Sequence, residues 1–192
     1  MDYRLGEVYS ALMANKLKIV ELGDPILRKK AKAVSKSLIR TKKFQSFIDD
    51  LIRTCDKSAG VGIASPQVGV SQRLFILWSR AGKRYKNVPK LGPIAIINPK
   101  IISTSKKTVN GYEGCLSLPH IRGMVRRFES VDVAFTTREG ENVRVTFEGF
   151  PARIFQHEFD HLNGVMFVDR VDIKTLITTK EYEKLVKKSF RK

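Results

Sequence analysis

The chain has 192 residues, 42% of them hydrophobic, and a formal net charge of +17. This length and apolar content predict a single domain over residues 1–192, with residues 1–15 as an N-terminal extension. The sequence has no apolar run long enough to span a membrane, and its first residues lack the apolar core of a signal peptide. We therefore expect a cytoplasmic protein that does not associate with membranes.

The first predicted element is a helix from about residue 37 to residue 57. Its apolar residues recur at helical spacing on one face; they are Phe44, Phe47, Ile48, Leu51, Ile52 and Cys55. This spacing predicts that Cys55 is a buried core residue rather than a metal ligand. Residues 60–69, GVGIASPQVG, are rich in glycine and contain a proline, which predicts an irregular loop rather than a strand.

The middle of the chain is predicted to form strands. Residues 73–79 and 94–102 are rich in β-branched and aromatic residues, and a polar surface loop at 81–92 separates them. Alternating apolar and polar residues at 124–137 and 142–149 predict an antiparallel hairpin with one face on the core.

Two histidines four positions apart, in QHEFDHLNG (156–164), indicate a metal site. On an α-helix His157 and His161 lie about 40° apart on one face, one turn above the other, so both imidazoles can bind one ion. Glu158 lies between them and is free to exchange protons with a metal-bound water. An ordinary helical histidine pair is the alternative. Pro151 can begin such a helix and Gly164 can end it.

The apolar residues of this histidine helix predict that it is buried; they are Ala152, Ile154, Phe155, Phe159 and Leu162. We therefore predict an α+β fold in which this central metal-binding helix packs against antiparallel β-sheets.

The third metal ligand distinguishes several classes of enzyme. Phe167 stands where a metzincin-type peptidase would have its third histidine. Glu181 and Glu183 are poor candidates because they lie in a lysine-rich tail. Cys115 lies in GYEGCLSLP (111–119), a turn-like stretch between predicted strands, and its thiolate would complete a site that keeps a fourth position for water.

The positive charge is concentrated near the end of the chain. The basic tail, residues 172–192, is a candidate final helix with few apolar anchors; they are Leu176, Ile177, Tyr182, Leu185 and Val186. Six basic residues lie within 180–192; they are Lys180, Lys184, Lys187, Lys188, Arg191 and Lys192. Such a charge predicts attraction to polyanions, but no motif indicates sequence-specific DNA binding. A solvated basic face is the alternative interpretation.

Three motifs in order resemble those of the peptide deformylase family, whose members remove the N-formyl group from new proteins. They are GVGIASPQ (60–67), EGCLS (113–117) and QHEFDH (156–161), and the resemblance extends from about residue 16 to about residue 171. Two departures are Ser65, where the family usually has alanine, and His120, which lies either at the rim of the pocket or in a solvated loop.

The resemblance implies a set of catalytic roles. Cys115, His157 and His161 would hold one divalent metal ion, with Fe²⁺ expected and Zn²⁺ as the alternative. Glu158 would act as the general acid and base. The side-chain amide of Gln67 and the backbone N–H of Leu116 would stabilise the oxyanion.

The resemblance also suggests how a substrate would bind. Gly62 and Gly114 would pair with the backbone of an extended N-formyl-methionyl peptide. Val61, Phe150 and Ile154 are candidates for the methionine pocket, or are plain core residues.

Two further predicted roles concern charged side chains. Arg122 would orient the substrate. Asp160 would pair with Arg127 and buttress the metal helix, with a solvated surface pair as the alternative.

Three functions therefore compete. A deformylase would act on nascent chains near the ribosomal exit, in the bacterial cytosol or in an organelle, and the basic tail would then contact ribosomal RNA. A different metallopeptidase would cleave unformylated peptides. A basic RNA-binding protein would use the metal only for structure.

Overall fold

The protein is described by a computed structural model that covers residues 15–81 and 88–189. In chain order its helices and strands are α1 (Lys36–Ile39), α2 (Lys42–Lys57), β1 (Gly62–Ala64), β2 (Leu74–Ser79), β3 (Leu91–Thr104), β4 (Thr108–Cys115), β5 (Leu118–Phe128), β6 (Ser130–Thr136), β7 (Asn142–Glu148), α3 (Gly149–His161), β8 (Ile177–Thr178) and α4 (Thr179–Ser189). Short 3₁₀ turns lie at Pro25–Arg28, Ser65–Val68, Phe167–Asp169 and Ile173–Thr175.

The strands form two antiparallel sheets. Sheet 1 has the order β1-β2-β3-β6-β7, and sheet 2 has the order β4-β5-β8. Helix α3 contacts strands of both sheets. The predicted α+β fold, with a central helix against antiparallel sheets, is therefore confirmed.

Strands β1, β2 and β3 of sheet 1 are buried between two helices. Strand β2 shows this directly, because its successive side chains point to opposite faces. Phe75 and Leu77 belong to the core cluster that includes the apolar residues of α3. Leu74 and Ile76 belong to the second cluster, which includes the apolar face of α2. Cys55 lies in this second cluster, where burial raises the pKa of its thiol to about 12, so its prediction as a core residue is confirmed.

The helix predicted at 37–57 is divided by a break at Arg40, where the side chain of Thr41 caps the start of α2. The histidine helix begins at Gly149, two residues before Pro151. Beyond its end, Gly164 adopts a φ of +73°, a left-handed conformation that glycine adopts without strain.

Two predictions of local structure are confirmed only in part. Residues 60–69 are not only a loop, because Gly62–Ala64 forms strand β1 at the edge of sheet 1, followed by a 3₁₀ turn. The stretch 124–137 is not one strand of a hairpin. Its first part belongs to β5 in sheet 2, and the predicted antiparallel hairpin is formed by Ser130–Thr136 with β7. Alternation along a strand reports which face is buried, but it does not identify the partner strand.

The predicted surface loop at 81–92 is shorter than expected, because β3 begins at Leu91; residues 82–87 lie outside the described residues. The N-terminal extension falls almost wholly within residues 1–14, which are also outside them. The tail does contain a helix, α4, although it starts only at Thr179. Within the described residues, no helix is long and apolar enough to cross a membrane.

Candidate active site

Sulfur and nitrogen donors from two elements converge in one place. Cys115 ends strand β4, and His157 and His161 lie one turn apart on α3. One ligand atom from each residue lies within 4.8 Å of the other two, and the Cys115 Sγ is 3.3 Å from the His161 Nε2. One thiolate and two imidazoles are a donor set that suits a divalent transition ion and leaves a position open. The residues present therefore fit a metal ion.

The ring of His157 is held by Glu113, which sequence reasoning missed. The His157 Nδ1 lies 2.9 Å from the Glu113 Oε2, which leaves Nε2 for the donor cluster. Burial alone would raise the pKa of Glu113, but hydrogen bonds from His157 and Arg127 hold it well below its usual value. An anionic partner at Nδ1 fixes the tautomer that a metal-binding histidine needs. The position of Glu113 in the sequence could have indicated this, because residues 113 and 115 point to the same face of a strand.

Glu113 belongs to a buried ion network. Arg127 donates two hydrogen bonds to it, at 3.0 and 2.9 Å, and Arg153 donates one at 2.8 Å. Arg127 also reaches Asp160 at 2.5 Å, and Arg170 donates to the same carboxylate at 2.6 Å. The side chains of Arg127 and Asp160 are 4% and 8% exposed, so this is not a solvated surface pair. The network joins sheet 2 to helix α3.

Glu158 is a buried carboxyl group beside the donor cluster. Its Oε2 has no hydrogen-bond partner among the described residues. Burial is the main reason that the pKa of Glu158 is raised to about 7. A divalent cation bound nearby would favour the charged form. An unpaired buried oxygen of this kind is available to a bound water or substrate.

Gly62 makes room for Glu158. A Cβ atom at this position would lie 2.5 Å from the Glu158 Oε1, closer than real Cβ contacts allow. The glycine of β1 therefore permits the carboxyl group of α3 to reach its place.

Gln67 is oriented by its own loop. Its Oε1 accepts a hydrogen bond from the backbone N–H of Ala64 at 2.8 Å, and its Nε2 donates to the Ser117 Oγ at 3.2 Å and to the Cys115 Sγ at 3.4 Å. The amide protons therefore face the donor cluster. The hydroxyl of Ser65, the first departure from the family pattern, donates to the Val70 carbonyl at 2.7 Å and adds a bond that closes the same loop.

Leu116 follows Cys115 directly, in the turn between β4 and β5. Its side chain packs against the core cluster of α2. This packing anchors the turn whose backbone N–H was predicted to bind the oxyanion.

The three residues predicted for the methionine pocket meet in one cavity. Val61, Phe150 and Ile154 line it together with His157 and Glu158. Ile154 is also a core residue, 4% exposed, and the other two pack against the same cluster. The cavity is therefore an apolar pocket that opens beside the donor cluster.

The residues predicted to bind the peptide backbone lie on edge strands. Gly62 is in β1, at one edge of sheet 1, and Gly114 is in β4, at one edge of sheet 2. Arg122 pairs with Gly114 across sheet 2 and is buried. His120 lies in β5 rather than in a loop, is exposed with a φ of +68°, and lines a groove that also reaches Cys115.

These features together define a metal-dependent hydrolase that acts on peptide-like substrates. They are one cysteine sulfur with two imidazoles, a buried carboxyl group, an oriented amide and an adjacent apolar pocket.

The comparisons with known proteins agree with this class. The polypeptide deformylase family matches residues 16–176. Peptide deformylase 2 of Nostoc sp. is 51% identical over 174 residues, which cover 90% of this chain and 96% of that protein. The peptide deformylase of Halothermothrix orenii is 46% identical over 155 residues, covering 81% and 93%.

A solved structure agrees in fold. The Met-Ala-Ser-bound crystal structure of class I type b peptide deformylase from Acinetobacter baumannii has a TM-score of 0.81 and 42% sequence identity, and covers 83% of this chain and all of that chain. The chain therefore belongs to the polypeptide deformylase family. It is an enzyme that hydrolytically removes the formyl group from the N-terminal methionine of new polypeptides.

We predict that Gly62→Ala lowers turnover of a formyl peptide by at least about tenfold while metal content is retained, because the new methyl group displaces the carboxyl group of Glu158, the residue predicted to act as general base. Steady-state kinetics and metal analysis check this. In a Glu158→Ala background the same change should add little further loss. A full additional loss in that background would show that Gly62→Ala acts through another part of the site.

Proposed function

We propose that deformylation takes place where the donor atoms of Cys115, His157 and His161 converge, around one divalent metal ion. The observation that carries this proposal is the buried Oε2 of Glu158, which lies beside those donors and has no hydrogen-bond partner in the part of the chain that the structure describes. A structural metal site needs no such group, and a catalytic one does.

The bound metal ion would supply Lewis-acid activation of water and of the formyl carbonyl. Glu158 accepts the proton of the attacking water and returns it to the leaving amine. The Gln67 amide and the Leu116 N–H donate hydrogen bonds to the formyl oxygen as it gains negative charge. Losing one such donor typically costs about 2.7–4 kcal/mol of transition-state stabilisation. The bond from the Ala64 N–H holds the Gln67 amide ready for this task.

The peptide binds as an added strand. The methionine side chain enters the pocket of Val61, Phe150 and Ile154. The outer strands β1 and β4 pair with its backbone at Gly62 and Gly114, which accepts many sequences because main-chain groups make the contacts. The Acinetobacter baumannii structure bound to Met-Ala-Ser supports a methionine-first peptide as the ligand class.

The central test separates metal binding from catalysis. We predict that Cys115→Ala, His157→Ala and His161→Ala each lose stoichiometric metal, because a site with three protein ligands has none to spare. Glu158→Ala should instead retain metal and lose at least about 100-fold in turnover. Metal analysis and cleavage of a formyl-Met peptide, compared with its unformylated form, provide the measurements. Full metal occupancy in Cys115→Ala would contradict the ligand assignment.

We further propose that the native ion is Fe²⁺. A thiolate and imidazoles suit both iron and zinc, and the resemblance to deformylases favours iron. We predict that air inactivates the iron enzyme, because a ferrous ion with an open position reacts with oxygen whereas zinc has no redox chemistry. Anaerobic reconstitution with each metal checks this. Higher activity with zinc than with iron would contradict the assignment.

We also propose that the enzyme works in the cytosol, where formylated chains are made, and that its basic tail binds ribosomal RNA near the nascent-chain exit. Lys180, Lys184 and Lys187 are exposed on α4; Arg191 lies outside the described residues. Lys184 also pairs with Glu181, at 2.7 Å.

Because binding to RNA releases counterions, we predict that association with ribosomes weakens steeply with salt. Neutralising Lys184, Lys187, Lys188 and Arg191 together should flatten that slope. Co-sedimentation with ribosomes at graded salt is the measurement. Equal binding of the wild-type and charge-neutralised proteins at every salt concentration would contradict the proposal and support a solvated basic face.

A further inference from the structure

The C-terminal segment is attached to the sheet that carries Cys115. Strand β8 extends sheet 2, with Thr178 opposite Ile121 and Ile177 opposite Arg122. Gly123, the next residue of β5, lets the preceding segment pack closely, because a Cβ atom there would lie 2.2 Å from the Val171 Cγ2. The start of α4 is therefore held beside the groove lined by Cys115 and His120.

Helix α4 brings an aromatic ring to two side chains of the site. The ring of Tyr182 lies 5.1 Å from the ring of Tyr112, which lines the methionine pocket. The Cζ of Arg122 lies 5.1 Å from the centroid of the same Tyr182 ring. Thr179, at the first turn of α4, lines the groove that contains Gly114, Cys115 and Arg122. The tail thus forms part of the wall of that groove.

Arg122 depends on this surface for its orientation. Arg122 is only 6% exposed, and its Nε has no hydrogen-bond partner within the described residues. On one side the guanidinium lies against Gly114, where a Cβ atom would be 3.0 Å from Nη1. On the other side it lies near the Tyr182 ring, whose electron-rich face attracts a cation.

We propose that Tyr182 is a positioning residue for peptide recognition, which holds Arg122 in the wall of the groove that receives the residues after formyl-methionine. This inference rests on the proposed binding of the peptide at Gly114, next to the guanidinium. An arginine offers planar N–H donors to the carbonyl groups of a peptide or to a carboxylate, but only when its long side chain is held in one orientation. The tail therefore takes part in substrate binding as well as carrying charge.

The contribution of Tyr182 should depend on substrate length. Formyl-Met amide ends before the groove, whereas formyl-Met-Ala-Ser extends along it. We expect Tyr182→Ala to raise KM for the tripeptide about three- to tenfold more than KM for the amide, the range of a partly buried cation–π contact. The value of kcat should change far less than KM, since Tyr182 does not touch the reacting atoms.

The experiment uses the full-length metal-loaded enzyme with both substrates. Tyr182→Phe keeps the ring face and should restore the wild-type KM ratio. Glu183→Ala, at the neighbouring exposed position, is the matched control for a change in α4. Tyr182→Ala should have no further effect on the KM ratio in an Arg122→Met background, because it acts through Arg122.

Three results would overturn the inference while leaving the proposed function intact: an unchanged KM ratio in Tyr182→Ala, the same change in Glu183→Ala, or independent effects of Tyr182→Ala and Arg122→Met. Failure of the wild-type enzyme to cleave either formyl substrate would instead overturn the proposed function, and this inference with it.

Discussion

The buried charges around Glu113 are the interaction on which the rest of the site depends. Cys115 comes from a strand of sheet 2 and the two histidines come from α3, so their relative position requires a rigid connection between the sheet and the helix. Arg127 provides it, because it bonds to Glu113 on β4 and to Asp160 on α3. Removing one partner of a buried pair typically costs roughly 3–5 kcal/mol, since the other charge is left without compensation. The same network orients the ring of His157 through Glu113.

The two sheets contribute different parts of the site. Strands β1, β2 and β3 of sheet 1 are packed on both faces, which fixes the position of the edge strand β1. From that edge come Gly62, against which the Glu158 carboxyl lies, and the loop that orients Gln67. Sheet 2 supplies the thiolate and the groove. Helix α3 contacts both sheets, so a single helix presents two imidazoles to Cys115 of sheet 2 and the Glu158 carboxyl group to Gly62 of sheet 1.

The sequence was sufficient for the parts of the site that depend on local spacing. The four-residue separation of His157 and His161 predicts their common face, and the apolar spacing around Cys55 predicts its burial. The partners of β5 could not be predicted, because alternation does not specify pairing. Glu113 was missed because residues 111–119 were predicted as a turn-like stretch, which hides the common face of positions 113 and 115, and because its partners Arg127 and Arg153 are distant in sequence. Tyr182 was predicted only as a weak anchor, since nothing local indicates that its ring meets Arg122.

The most direct test of this account is the affinity of Glu113→Gln for metal. Glutamine keeps the shape of the side chain but removes the charge that fixes the His157 tautomer, so we predict metal binding weaker by about 10- to 100-fold in chelator competition. Glu129→Gln, at a partly exposed glutamate paired with Lys107, is the control and should bind metal like the wild type. Wild-type affinity in a folded Glu113→Gln protein would contradict the claim that the buried network sets the geometry of the metal site.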